Sequence, residues 1–286
     1  MNAPRPDRAI HNSPTKLREL AQQAARVGGA VARAEFGRRQ SVSLKSDASE
    51  VTETDLAAER AVIEHVRKLR PFDRFIGEES VELTQESPAN VPPPADVVTW
   101  IIDPIDGTRN FIRRMPLFTC SIAAVMYETI VAGAVYEPIP DTMYSAERGN
   151  GAFIDGKRTP LTTEPTEENS ATKKLFVGIP SARRAVTRPL VLHAVERHIV
   201  RNFGSVALHL ALTAIGRLDV TVVGAARLWD VAAGCLLVEE GGGKVTAPDG
   251  SPLFTEGVTA CAEVEIPLIA ASSRAHEQIL REIRGE

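Results

Sequence analysis

Apolar positions recur along this chain with two different periods, and the switching between them lays out a mixed fold. From Thr15, the residues Leu17, Leu20, Ala24, Val27, Val31 and Ala34 fall at helical spacing and predict a first amphipathic helix ending near Gly37. The segment from Arg38 to Ser49 is polar and has no such repeat. A second helix is expected from Thr54-Asp55, turning Leu56, Ile63, Val66 and Leu69 inward and stopping at Pro71, where the missing N–H breaks the ladder. Phe75-Ile76 then reads as a short strand entering Gly77-Glu78-Glu79-Ser80. Residues 86–96 are Pro-rich and read as a surface loop. The nearly continuous apolar run from Val97 to Ile102 predicts a strand buried on both faces and ending at Asp103.

Strand-like runs follow at 118–127, 130–137 and 142–146, with turns at Gly149-Asn150-Gly151 and Asp155-Gly156, as in an antiparallel meander. The second half alternates. Strands are expected at 175–178, 218–223, 244–246 and 266–271. Helices are expected at 184–198, from Gly204-Ser205 to Ile215, from Trp229 to Glu240, and after a Ser272 or Ser273 cap. Helices and strands mix throughout with no internal repeat, so the class is layered α/β or α+β. The first 14 residues are polar and contain proline, and read as a frayed tail. Residues 15–286 read as one domain, with an α+β half to about 180 and an α/β half beyond.

Composition narrows the options. With 43% hydrophobic and 24% charged residues the chain is an ordinary globular protein, which excludes wholesale disorder. No apolar stretch approaches the ~20 residues of a membrane span, and the start lacks a secretory apolar region. Cys120, Cys235 and Cys261 are odd in number and far apart, unlike a disulfide framework or a cysteine zinc site, so a cytoplasmic location is expected. A net charge of −4 and few aromatics argue against nucleic acid as the main partner. Charge is uneven, however: residues 46–110 carry fourteen acids against six basic residues, whereas residues 1–45 carry three against nine.

The acids converge at Asp103-Pro104-Ile105-Asp106-Gly107-Thr108. Two carboxylates around a proline turn can share one small space. They repel unless one takes a proton or both face a cation. Oxygen-only donors without nearby His or Cys suit Mg²⁺ better than zinc. Amides of Gly107 and Thr108 opening a helix would form an anion cradle beside it, and metal next to phosphate suggests phosphoryl chemistry.

Gly77-Glu78-Glu79-Ser80, then Asp103 to Thr108, then Trp229-Asp230-Val231-Ala232-Ala233-Gly234 resemble the three signature motifs of the inositol monophosphatase family, and Val51 to Asp55 resembles its upstream Thr-Asp element. That resemblance implies a Mg²⁺-dependent, lithium-sensitive phosphomonoesterase with layered αβαβα architecture, usually a homodimer. It implies that Glu78, Asp103 and the Ile105 carbonyl bind a first Mg²⁺, that Asp103, Asp106 and Asp230 bind a second, and that Glu78 with waters binds a weaker third. Asp55 and Thr108 would pair to orient and deprotonate the attacking water, while the Gly107 and Thr108 amides hold phosphate oxygens. Glu79 reads as an outer acid rather than a ligand, and Lys45 stands where relatives place a mobile lysine.

The specificity half of the match departs from the pattern. Arg109 follows Thr108 where inositol phosphatases usually carry a second Thr, and Arg113 and Arg114 stand where a His is common. Val223 occupies the position of a glutamate that accepts sugar hydroxyls, and Gly204-Ser205-Val206 replaces Gly-Thr-Ala beside the expected ring. A pocket lacking a hydroxyl's partner discriminates poorly in its favour. Histidinol-phosphate phosphatase and 3′(2′),5′-bisphosphate nucleotidase are therefore alternatives within the class. An interaction protein, favoured only by basic residues 1–45, is the alternative outside it. The remaining histidines have no ligand spacing and read as surface or packing residues.

Overall fold

The structure is a computed structural model that describes residues 12–44, 50–80, 97–159, 174–179 and 188–284. Two helices come first, α1 (Pro14–Glu35) and α2 (Glu53–Leu69), with a small antiparallel hairpin of β1 (Val42–Leu44) and β2 (Glu50–Thr52) between them. The first strand of the hairpin lies in the segment that the polar pattern leaves without structure. A seven-stranded sheet follows in order β3 (Arg74–Gly77), β4 (Thr99–Asp106), β5 (Thr119–Met126), β6 (Thr129–Glu137), β7 (Thr142–Glu147), β8 (Gly151–Ile154), β9 (Lys157–Arg158). Only β3–β4 is parallel; the rest is the expected meander. Helix α3 (Thr108–Ile112) is a single turn between β4 and β5.

The second sheet holds β10 (Phe176–Gly178), β11 (Ile199–Arg201), β12 (Val220–Val223), β13 (Gly243–Thr246) and β14 (Leu268–Ser272), in order β11-β10-β12-β14-β13. Its helices are α4 (Arg188–Arg197), α5 (Val206–Ala214), α6 (Leu228–Glu240) and α7 (Ser273–Arg284).

Three continuous cores separate these elements into five layers. Leu17, Ala24, Val62 and Val66 of α1 and α2 pack on Phe75, Trp100, Ile102 and Ile122 of the first sheet. The opposite face of that sheet (Ile76, Ile101, Ala123, Val135) meets α5 and α6, which in turn cover Val223, Leu268 and Ala270. Beyond, Val177, Val220, Val222 and Ile269 meet Ala194 of α4 and Ala275 and Ile279 of α7. The order is αβαβα. Helices α5 and α6 are buried on nearly all sides, which is why their sequences are apolar without a polar stripe.

Both N-terminal helices bury part of the expected set, Leu17, Leu20 and Ala24 on α1 and Ile63 and Val66 on α2, and depart from the rest. The α1 stripe runs Leu17, Leu20, Ala24, Ala25, Gly28, Gly29, Ala32, leaving Val27 and Val31 partly exposed and Ala34 exposed. Close approach decides this: a Cβ at Gly29 would lie 2.5 Å from the Tyr136 ring, and one at Gly28 2.8 Å from Cys120 Sγ. Larger side chains were read as the core, but the sheet admits only a glycine face. On α2, Leu56 and Leu69 point outward, and Asp55 and Glu59 share the buried face with Ala58, Val62, Ile63 and Val66.

Candidate active site

The acidic site begins with a strand defect. Side chains on a strand alternate, so Asp103 and Asp106, three residues apart, should point to opposite faces. Instead β4 continues to Asp106, and its register on β5 shifts between Asp103↔Ser121 and Asp106↔Thr119. Three steps on β4 match two on β5, so the bulge at Pro104-Ile105 absorbs one residue and restores both carboxylates to one side. The expected end of the strand at Asp103 is corrected accordingly. Ile105 turns its side chain into a small aromatic cluster with Phe111 and Phe118.

Neighbouring elements bring the other acids. Parallel pairing of Gly77 with Ile102 and the Glu78 N–H bond to the Ile102 carbonyl (3.1 Å) set Glu78 beside Asp103. Asp230 lies in the first turn of α6 and accepts the Arg227 N–H at 2.7 Å. Asp106 Oδ2 accepts the Ser205 hydroxyl and the Ala207 N–H, both at 2.6 Å, at the N-terminus of α5. Asp55 is fully buried and closes a reciprocal cap with Thr52 at the start of α2. The Thr108 hydroxyl lies 3.2 Å from Asp55 Oδ1 and 3.0 Å from the Ile105 carbonyl, and donates to either.

Crowding shows in the electrostatics. Burial pushes Asp103 well above the ordinary carboxylate range, and the charges of Glu78, Asp106 and Asp230 push it further. Asp230 is raised in the same way by burial, then by Asp106 and Glu78. Burial raises Asp106 to about 6 even against the hydrogen bonds from Ser205, Ala207 and Val206. Asp55 is raised by burial, partly offset by Thr52. Asp103 Oδ1 is buried and has no hydrogen-bond partner among the described residues. Such an oxygen, on a carboxyl raised by three further acids, could accept a hard, oxygen-ligated cation.

The expected substrate residues are placed less uniformly. Gly107 adopts φ +102° as the cap of α3, and a Cβ there would crowd the Leu117 carbonyl at 3.0 Å. Arg109 is exposed and pairs with Glu50 of the hairpin at 3.1 Å; Arg113 and Arg114 are exposed as well. Ser205 is fully buried, its hydroxyl committed to Asp106 and to the Leu208 N–H (3.1 Å), and Val206 is buried beside it. Val223 is fully buried in the core beneath α5 and α6. Lys45 lies outside the described residues.

Several residues that shape the site escaped the sequence reading. Asn110 Nδ2 donates to the Leu117 and Phe203 carbonyls at 2.6 Å each, tying α3 to the loop before α5. His209 stacks on Phe203, accepts its N–H at Nε2 (3.1 Å) and bonds the Ser205 carbonyl through Nδ1 (2.6 Å), and burial lowers it to about 4. Glu59 accepts the Glu79 N–H at 3.0 Å and the Ser80 hydroxyl. The four-residue spacing of Asp55 and Glu59 was the one available signal for the last. His193 and His198 do converge, each 2.8 Å from Glu282 Oε2. The His198 Nδ1 accepts the Leu175 N–H (3.3 Å), which leaves its proton on Nε2 for Glu282; the trio clasps α7 to α4 as hydrogen bonds.

The sequence profile of the inositol monophosphatase family matches residues 13–285. The chain belongs to that family. Among relatives, the inositol-1-monophosphatase of Caulobacter vibrioides is 35% identical over 253 residues, covering 85% of this chain and 91% of the relative. Inositol monophosphatase 1 of Rattus norvegicus is 31% identical over 252 residues, covering 85% and 88%. Among solved structures, the extragenic suppressor protein of Bartonella henselae superposes with a TM-score of 0.77 at 29% identity, covering 93% and 97%. The Thermotoga maritima IMPase superposes at 0.78 with 26% identity, covering 93% and 96%. As an inositol monophosphatase family member the chain is a phosphomonoesterase.

Proposed function

We propose that this family member hydrolyses a small phosphate monoester of the inositol 1-phosphate kind by direct attack of water, with Mg²⁺ bound by the acid cluster. The observation that carries the reading is that Asp103 is buried within reach of the charges of Glu78, Asp106 and Asp230 and has a buried oxygen without a hydrogen-bond partner among the described residues. Glu78, Asp103 and the Ile105 carbonyl would hold one ion, Asp103, Asp106 and Asp230 another, with Glu78 available to a third. Bound there, such ions lower the pKa of water and neutralise charge on the phosphate and the departing alkoxide.

The chain's own groups supply orientation. Thr108, which hydrogen-bonds to Asp55 or the Ile105 carbonyl, would hold a water and pass its proton toward Asp55. The raised affinity of Asp55 for a proton suits an acceptor. The Gly107 and Thr108 amides would hold phosphate oxygens, in a turn whose positive φ and close Leu117 carbonyl call for glycine at 107. Asp106, with one oxygen tied to the start of α5, offers the other to an ion while keeping the two halves of the chain in register. A homodimer remains part of this reading.

A phosphate-release panel tests it, with Mg²⁺ and after exhaustive chelation. It contains inositol 1-phosphate, histidinol phosphate, 3′-phosphoadenosine 5′-phosphate, fructose 1,6-bisphosphate and glycerol 2-phosphate. Metal-dependent hydrolysis lost in Asp103→Asn is the expected result. Hydrolysis that survives both chelation and Asp103→Asn overturns the mechanism. Equal kcat/KM for Arg109→Ala on every ester would rule out a substrate contact by that residue.

A further inference from the structure

We infer that Glu59 is a positioning residue for the metal site: its buried carboxylate moulds the Gly77–Ser80 turn and so places Glu78. The inference rests on the metal-dependent reading above. Helix α2 carries Asp55 and Glu59 one turn apart on its buried face, and sends them to different parts of the site. Asp55 meets Thr108. Glu59, 3% exposed, lies under the turn that presents Glu78.

The contacts bracket Glu78 on both sides. Glu59 Oε2 accepts the Glu79 N–H at 3.0 Å, and Oε1 accepts the Ser80 hydroxyl. The turn is closed by the Gly77 N–H on the Ser80 carbonyl at 2.9 Å, and anchored to β4 by the Glu78 N–H on Ile102. On the N-terminal side, a Cβ at Gly77 would overlap the Glu59 carboxylate, so glycine there lets the acid lie against the backbone. The backbone on both sides of Glu78 therefore rests on Glu59, while the Glu78 charge acts on Asp103. Groups that orient metal ligands this way commonly govern affinity by 10–100-fold.

Both contacts of Glu59 on the turn are hydrogen bonds. A glutamine can keep both contacts, its oxygen accepting the Glu79 N–H and its amide donating to a reversed Ser80 hydroxyl. Binding of Mn²⁺ alone, followed by the EPR signal of the free ion, separates the possibilities without an activity assay. Glu59→Ala is expected to weaken Mn²⁺ binding by roughly 10–100-fold. Ser80→Ala, which removes one of two contacts and spares the core, is expected to weaken it by a smaller factor, and Glu59→Gln to stay near wild type. Isotherms of Glu59→Ala and Ser80→Ala that overlay the wild type overturn the positioning role, as does a Glu59→Gln loss equal to that of Glu59→Ala. Should Asp103→Asn bind Mn²⁺ as the wild type does, the metal reading fails first and takes this inference with it.

Discussion

Replacing Asp106 by asparagine should stabilise the metal-free protein at neutral pH while abolishing hydrolysis. Burial raises this carboxyl from 3.8 to about 6 in the folded chain. A group whose pKa is raised by folding binds its proton more tightly in the native state. Its favourable contribution is complete below the unfolded value, near 4, and is lost as pH climbs through 6. A shift of about two units corresponds to roughly 3 kcal/mol, and because Glu78, Asp103 and Asp230 share the strain, about 2–3 kcal/mol is the expected range. Asparagine keeps the oxygen that accepts from Ser205 and Ala207 and turns an amide toward the other acids, so nothing is gained or lost at low pH.

In chelator, thermal unfolding of the variant and wild type should coincide near pH 4. By pH 7.5 the variant should melt roughly 3–5 °C higher. Added Mg²⁺ should reverse the order, because a ligand that binds only the native state stabilises only the protein that holds it. A variant no more stable than wild type in chelator at pH 7.5, or a gap that does not change with pH, would refute the idea that these acids are held together against their own repulsion.

Three further outcomes follow from the packing and the hydrogen bonds. Gly29→Ala gains about 1 kcal/mol of helix propensity but drives a methyl to 2.5 Å from the Tyr136 ring. Overpacking costs about 1–3 kcal/mol, so a net loss of up to about 2 kcal/mol in urea unfolding is expected, and a raised midpoint would show that α1 can retreat from the sheet. Thr108→Ala should lower kcat by roughly 10²–10⁴-fold with the far-UV spectrum intact, while a fall of less than twofold would remove its hydroxyl from the chemistry. Glu282→Ala should raise hydrogen exchange of the Ser273–Arg284 amides by freeing His193 and His198, with exchange elsewhere as in the wild type.

The elements themselves were legible because each carries a local signal. The uninterrupted apolar run of β4, the meander's turns and the unstriped helices α5 and α6 all report burial directly. The site was legible as a set of residue types in order, since the chemistry requires acids at a strand end, before a glycine turn and at a helix start. Two kinds of feature were not. The glycine face of α1 was missed because a close approach is a property of the surface opposite, here Tyr136 and Cys120, and leaves no hydrophobic letter to count. The β1–β2 hairpin was missed because its three-residue strands are too short to show a period.

The order of the chain, then, sets which residues are available: a carboxylate pair around Pro104, an acid after Gly77, another after Trp229, and none of them with a His or Cys neighbour to change the chemistry. Tertiary structure alone decides that they meet. Alternation along β4 would have sent Asp103 and Asp106 to opposite faces, and only the register shift against β5 turns both toward α6. Likewise Ser205, which by position could have faced a ligand, is spent on Asp106 because the start of α5 abuts the end of β4. Register and close approach depend on two segments at once, and no single segment of sequence contains them.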